Sequence, residues 1–313
     1  MAQNKPTVVV SGVTGWQGSA VAKALLKTGA FHVKGIVRNI HGKQARKMIH
    51  RGVELAQGDL TRPDDVRRAL EGAYAFFAHT HSYDPIVREH QEGNVGKRLV
   101  DEAKNAGIQH FVWSTLPDVH KLSDGKYDGA HFSEKASVEA YARESGLHCT
   151  FISAAFYYQN FATIFPVMRD EKGRIVFSTP LPESAILTAV DVEDMGPVVA
   201  QVLMAPEKWE GKTIALAGDS MRPDEYASIF KQVTGMCAIY KPMHMEHHQD
   251  EESMQEIFSF MAEYGYYGGK AAKEKEEEQE LVQAREIWPG MKTWREWLQT
   301  SGWRGEKIDT PSW

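Results

Sequence analysis

Cysteine is scarce in this chain: Cys149 and Cys237 are its only two, and they lie far apart. That excludes a disulfide framework and gives none of the close Cys/His spacings of a zinc site. It fits a reducing compartment, so a cytoplasmic protein is expected. Long apolar runs are missing as well. No stretch approaches the roughly 20 residues of a membrane span, and no apolar leader opens the chain, so no membrane contact is expected. An excess of positive charge is absent too. Lys and Arg total 36 against 42 Asp and Glu, a net charge of −6. A nucleic-acid surface needs a basic face, so no nucleic-acid partner is expected.

What is present is a core and a turn. Apolar residues make up 42% of the 313, enough for one large α/β domain or a domain with a smaller lobe. The β-branched run Thr7-Val8-Val9-Val10 leads into Gly12, Gly15 and Gly18, which open the amphipathic segment 16–28. This is a strand, a glycine turn and a helix. Such a turn sets backbone N–H groups and the positive end of a helix against a pyrophosphate. Side chains there would hold the phosphates away.

The second strand expected, 32–38, decides which dinucleotide. An NAD site places an acid near its end, about twenty residues beyond the glycines, on the ribose 2′-OH. This chain has Arg38 and Asn39 there, with Lys43, Arg46 and Lys47 following. A guanidinium fork matches a 2′-phosphate in shape and charge, so the expected cofactor is NADP(H).

Strand and helix patterns alternate from residue 5 to about 153. Strands are expected at 6–11, 32–38, 53–57, 73–79, 109–114 and 148–153, with helices at 16–29, 41–51, 63–71, 86–107 and 130–146. Short connections imply a doubly wound parallel sheet of Rossmann type, with the ligand at the carboxyl ends of the strands. Beyond 154 the alternation breaks. A helix is expected over 156–168, short strands at 174–178 and 185–190, a helix capped by Asp191 to about Met204, a strand at 212–216 and a helix at 223–234. The division is therefore 1–154 for the cofactor domain and 155–313 for a smaller α/β substrate lobe, whose strands can cross back. The Lys/Glu/Ala-rich segment 270–287 reads as a solvated helix.

Chemistry-bearing residues collect at the end of the fifth strand and just after it. Ser114 would face the nicotinamide end of the crevice. His131 and Lys135, four apart on a helix, share one face. Here the chain resembles the short-chain dehydrogenase superfamily, whose Ser and Tyr-x-x-x-Lys set would fall on Ser114, residue 131 and Lys135. His131 stands where the tyrosine would be, and Tyr127, one turn earlier, is a possible substitute. The chain is more specifically similar to the NmrA-like, NADP(H)-binding branch. The matching stretches are Gly12-Val-Thr-Gly15-Trp-Gln-Gly18, Ile36-Val-Arg38-Asn39, Gln57-Gly58-Asp59, Ala130-His131-Phe132-Ser133-Glu134-Lys135, Phe156-Tyr157-Tyr158-Gln159-Asn160 and Val190-Asp191-Val192-Glu193-Asp194-Met195-Gly196.

That resemblance implies a role for each matching position. Gly12, Thr14, Gly15, Trp16, Gln17 and Gly18 would hold the pyrophosphate, and Arg38 the 2′-phosphate. Asp59 and Leu60 would flank the adenine. Thr80, His81, Ser82 and Lys135 would lie at the nicotinamide ribose. Tyr157, Tyr158 and Asn160 would border nicotinamide and substrate. His131, ordinarily titrating near pH 6.5, would exchange the proton, with Tyr127 or Tyr157 in reserve.

The resemblance leaves three functions open: a reductase of a carbonyl or imine, a cofactor sensor that binds a protein partner, and a non-redox rearrangement or dehydration. His79 with His81, and His244 with His247 and His248, lack the convergent third and fourth donors of a metal site, so no metal is expected. Phe161 and Phe165 have helical core spacing. The segment Tyr264-Gly-Tyr266-Tyr267-Gly268-Gly269 reads as an aromatic loop at a ligand site, which suggests an aromatic or polycyclic substrate.

Overall fold

The computed structural model describes residues 5–89, 91–244, 251–268 and 276–311. His247, His248, Gly269 and Lys270 lie outside them. The strands are β1 (Thr7–Val10), β2 (His32–Val37), β3 (Glu54–Gln57), β4 (Ala75–Ala78), β5 (His110–Thr115), β6 (Cys149–Ala154), β7 (Phe156–Tyr157), β8 (Met168–Arg169), β9 (Ile175–Phe177), β10 (Leu187–Val190), β11 (Thr213–Leu216), β12 (Asp219–Met221) and β13 (Ala238–Tyr240). The helices are α1 (Trp16–Thr28), α2 (Lys43–His50), α3 (Pro63–Leu70), α4 (Pro85–Glu89), α5 (Glu92–Asn105), α6 (Val119–Leu122), α7 (Ala130–Glu144), α8 (Met195–Met204), α9 (Pro206–Trp209), α10 (Pro223–Thr234), α11 (Glu251–Tyr264), α12 (Glu276–Ile287) and α13 (Trp294–Ser301).

Seven strands form one parallel sheet in the order β11-β6-β5-β4-β1-β2-β3. Val8, Val9 and Val10 are wholly buried. A continuous apolar run rather than an alternating one marks a strand covered on both faces. The order reverses between β1 and β4, and a crevice opens at the carboxyl ends of these strands. β11 comes from the second half of the chain and closes the sheet against β6. α8 also crosses back. A Cβ on Gly196 would come 2.1 Å from the Ala20 carbonyl oxygen, so α8 lies directly on the backbone of α1.

Two small sheets, β12-β10-β7 and β13-β9-β8, sit in the second half. Their core is aromatic. Trp294 and Trp297 stack at 5.1 Å, and Trp294 Nε1 donates to the Tyr226 carbonyl at 3.0 Å. Trp303, Phe161, Phe177 and Phe230 pack around them.

Two expected helices differ. The helix over 86–107 is two helices, α4 and α5, parted at Gln91, whose φ is +58°. The break makes Glu92 the first residue of α5 and lets it point inward. The helix over 156–168 is instead the strand β7, a 3-10 turn at Tyr158–Ala162 and the start of β8. Pro166 has no N–H to continue a helix, and β7 pairs in parallel with β10.

Candidate active site

A cavity of about 690 Å³ runs from the glycine turn, past the ends of β4, β5 and β6, to α11 and the C-terminal segment. Its first end is backbone. Gly15 N-caps α1 with no side-chain cap, so the first N–H groups of that helix face the cavity without an intrahelical acceptor. Thr14, Gly15, Trp16 and Gln17 line it. Gly12 and Gly18 do not: their role is clearance. Gly12 has φ +54°, and a Cβ there would come 2.2 Å from His79 Nε2. A Cβ on Gly18 would come 2.4 Å from the Gly12 carbonyl oxygen. This end fits a pyrophosphate: the first N–H groups of α1 carry no side-chain cap, and at Gly15 no side chain stands over them.

The residues expected at the adenine end lie outside the cavity. Asn39 Oδ1 accepts the His41 N–H, and Asp59 Oδ1 accepts from the N–H and hydroxyl of Thr61. Leu60 packs on the core beneath α3. Arg38 forks onto Asp84: Nη1 donates to Oδ1 at 3.2 Å and Nη2 to Oδ2 at 2.6 Å.

Lys135 is buried and fully engaged. Its Nζ donates to the Thr80 carbonyl at 2.9 Å and to Thr80 Oγ1 at 3.0 Å, and pairs with Glu92 Oε1 at 2.8 Å. Three acceptors meet the three ammonium protons. Burial pushes the Glu92 carboxyl up, but the Lys135 charge and hydrogen bonds from Lys135 and Thr80 outweigh it and hold it below the usual range. Trp113 Nε1 donates to the Lys135 carbonyl at 3.1 Å, which fixes α7 on β5. Sequence reasoning missed Glu92. Nothing in its surroundings signals that a helical acid will be buried beside a lysine.

Ser114, His131, Tyr157 and Asn160 line the middle of the cavity, together with His79, Thr80, His81 and Ser82. His131 packs against the rings of Tyr83 and Phe132 at 5.7 and 5.0 Å. Burial pushes its pKa down to about 4, which corrects the expected titration near 6.5: the ring is neutral at pH 7. Burial also takes His79 down to about 4, with the Lys135 charge adding to the effect. Tyr157 accepts a hydrogen bond from Gln17 Nε2 at 2.6 Å, and burial holds its phenol well above its ordinary pKa. Tyr127 is not at the site. Its hydroxyl donates to Glu263 at 2.9 Å, and it packs on Phe260 and Tyr264. Among the described residues, no group of three or more His, Cys, Asp or Glu gathers to hold a metal.

The far end is apolar. Met254, Ile257, Phe258 and Met261 present one face of α11, at the i, i+3, i+4, i+7 spacing of an amphipathic helix. Phe156, Phe165 and Tyr266 complete the wall, with Lys307–Pro311 at the edge. The spacing on α11 was the available signal for this wall. The aromatic loop is not exposed as expected. Tyr266 is buried and donates to the Ala154 carbonyl, and Tyr267 donates to the Ser153 carbonyl, so both anchor the loop on β6. Only Tyr266 of the three tyrosines reaches the cavity.

The model of the NmrA-like family matches residues 4–298. The chain belongs to the NmrA-like family. Two curated members named as NmrA-like family domain-containing oxidoreductases are lnbB of Aspergillus flavus and FrzB of Cladobotryum sp. The first is 32% identical over 74% of each chain. The second is 30% identical over 75% of this chain and 76% of its own. Among solved family structures, NmrA, a negative transcriptional regulator in complex with NADP, superposes with a TM-score of 0.80 at 26% identity over 94% of each chain.

Proposed function

We propose that the protein is an NADP(H)-dependent oxidoreductase that reduces a carbonyl or imine carbon of an aromatic or polycyclic small molecule. The observation that carries this reading is one continuous cavity, which joins the glycine cradle to an apolar chamber past Ser114, His131, Lys135 and Tyr157. Family members named as oxidoreductases, and a structurally similar protein in complex with NADP, support it. When bound, the cofactor supplies a hydride.

The chain's own residues then bind, orient and exclude water. The α1 N-terminus and Thr14, Gly15 and Gln17 hold the pyrophosphate, and Arg38 takes the 2′-phosphate. Thr80, His81, Ser82 and Lys135 sit at the nicotinamide ribose, with Asn160 and Tyr157 beside the ring. The lobe formed by 155–313 supplies the substrate end. Tyr157, accepting from Gln17, keeps its own hydroxyl proton to donate toward the substrate oxygen or nitrogen. His131 offers an N–H as a neutral ring. Neither is an acid matched to pH 7, so a protonated imine, which brings its own proton, asks least of this site.

The test is NADPH oxidation with a panel of aromatic ketones and cyclic imines. Turnover of imines above ketones is expected. NADPH binding without turnover across both classes would overturn the reading in favour of a sensor that binds a protein partner. Two observations favour that second reading: His131 stands where the family resemblance places a tyrosine, and the fold is close to that of a regulator.

A further inference from the structure

The Arg38 fork is already filled. Its two terminal nitrogens close on both oxygens of Asp84, a residue 46 positions away, at 3.2 and 2.6 Å. A carboxylate presents the guanidinium with the same pair of oxygens as one edge of a phosphate. The two partners are not equally free. Asp84 is 15% exposed, its Oδ1 also accepts the Ile86 N–H at 3.0 Å, and its own N–H donates to the His81 carbonyl at 2.9 Å. Arg38 is 55% exposed. The carboxylate is fixed at the start of α4, and the arginine is the arm that can turn.

We infer that Asp84 is an internal competitor for the cofactor's 2′-phosphate and so sets the preference between NADP(H) and NAD(H). This rests on the NADP(H) reading above. The 2′-phosphate must take the fork from Asp84, or share it with a carboxylate of its own sign. NAD(H) carries a hydroxyl there and leaves the pair closed. Asp84 therefore burdens one cofactor and not the other. No signal near Arg38 in the sequence marks this acid.

Calorimetry with NADP⁺ and NAD⁺ on wild type, Asp84→Asn, Arg38→Gln and the double variant tests this. Asparagine keeps an oxygen for the Ile86 N–H, so α4 stays capped. Asp84→Asn should tighten NADP⁺ by about three- to tenfold, the scale of an exposed ion pair plus the lost repulsion. NAD⁺ should move by less than about twofold, and the gain should vanish in the Arg38→Gln background. Should Asp84→Asn fail to fold, Asp84→Ser retains a capping oxygen and reads the same ratio. Wild-type protein that binds NADP⁺, with an NADP⁺/NAD⁺ ratio unchanged or lowered in Asp84→Asn, overturns this inference alone. Wild-type protein that binds neither dinucleotide overturns the NADP(H) reading with it.

Discussion

The two ends of the cavity are built from different material. At the glycine end the wall is largely backbone: the uncapped N–H groups of α1 and Gly15, whose missing side chain leaves room. At the α11 end it is Met254, Ile257, Phe258 and Met261, flexible or flat side chains with few polar atoms. Backbone donors are fixed by the sheet and helix that carry them, so they recognise one geometry. Methionine and aromatic walls repack, so they accept a class of shapes. One end should therefore fail sharply when altered, and the other gradually.

The sharpest break should come from Gly15→Val. Gly15 has an ordinary extended φ, so a side chain there strains no dihedral, but its Cβ would come 3.3 Å from the Gly12 carbonyl oxygen, which must give by a few tenths of an ångström. The valine would occupy the pyrophosphate cradle. NADPH affinity should fall by more than about 100-fold, while the melting temperature drops by only a few degrees, about what a local backbone adjustment costs. Fluorescence titration beside a thermal melt measures both.

Next comes Arg38→Gln, chosen over an acid because Asp84 lies against it. Losing a charge-assisted pair to the 2′-phosphate should cost about 1.5–3 kcal/mol, roughly ten- to a hundredfold in NADPH affinity, with NADH unchanged. Equal loss for both cofactors in calorimetry would remove the 2′-phosphate role. Phe258→Ala at the other end should raise KM for an aromatic substrate by about tenfold, one buried ring's worth, and leave NADPH affinity alone. A parallel loss of NADPH affinity would mean that the two ends are not separable.

The glycine end was legible because its logic is local. The run Thr7–Val10 and the spacing of Gly12, Gly15 and Gly18 fall within about a dozen residues, and each is dictated by backbone geometry. Six strands of the sheet were legible for the same reason, whereas β11 was expected as a strand of the lobe and joins the sheet by pairing with β6. The remainder depends on contacts that no local pattern carries. Glu92 pairs with Lys135 across 43 positions (135 − 92), and Asp84 with Arg38 across 46. The pKa of His131 comes from the burial created when Tyr83 and Phe132 close around it. Tyr266 and Tyr267 look like exposed loop aromatics until β6 supplies carbonyls for their hydroxyls.

A smaller effect concerns pH. His79, His110 and His131 all have folded pKa values of about 4, each pushed down first by burial. The unfolded chain binds their protons more readily, with an ordinary pKa of about 6.5. Stability is therefore fully present above pH 6.5 and is lost as pH falls toward 4. For His110, which is 2% exposed, the loss across that window is about 3 kcal/mol. Urea unfolding at a series of pH values should show this slope, and His131→Phe should flatten it. Because His131 is neutral at pH 7, the same variant should keep hydride transfer within about threefold, well short of the roughly 100-fold or more of a lost general acid.

In this reading one cavity sets a dinucleotide, cradled by its pyrophosphate at the glycine end, beside an aromatic electrophile held by α11. Deuteride transfer tests it most directly. NADPH carrying deuterium on one face of the nicotinamide C4, mixed with a cyclic aromatic imine in a single turnover, should give product labelled at the former imine carbon. The opposite face should give none. Label that stays in the cofactor from both faces, with NADPH bound and the aromatic imine seated in the chamber, would contradict the account.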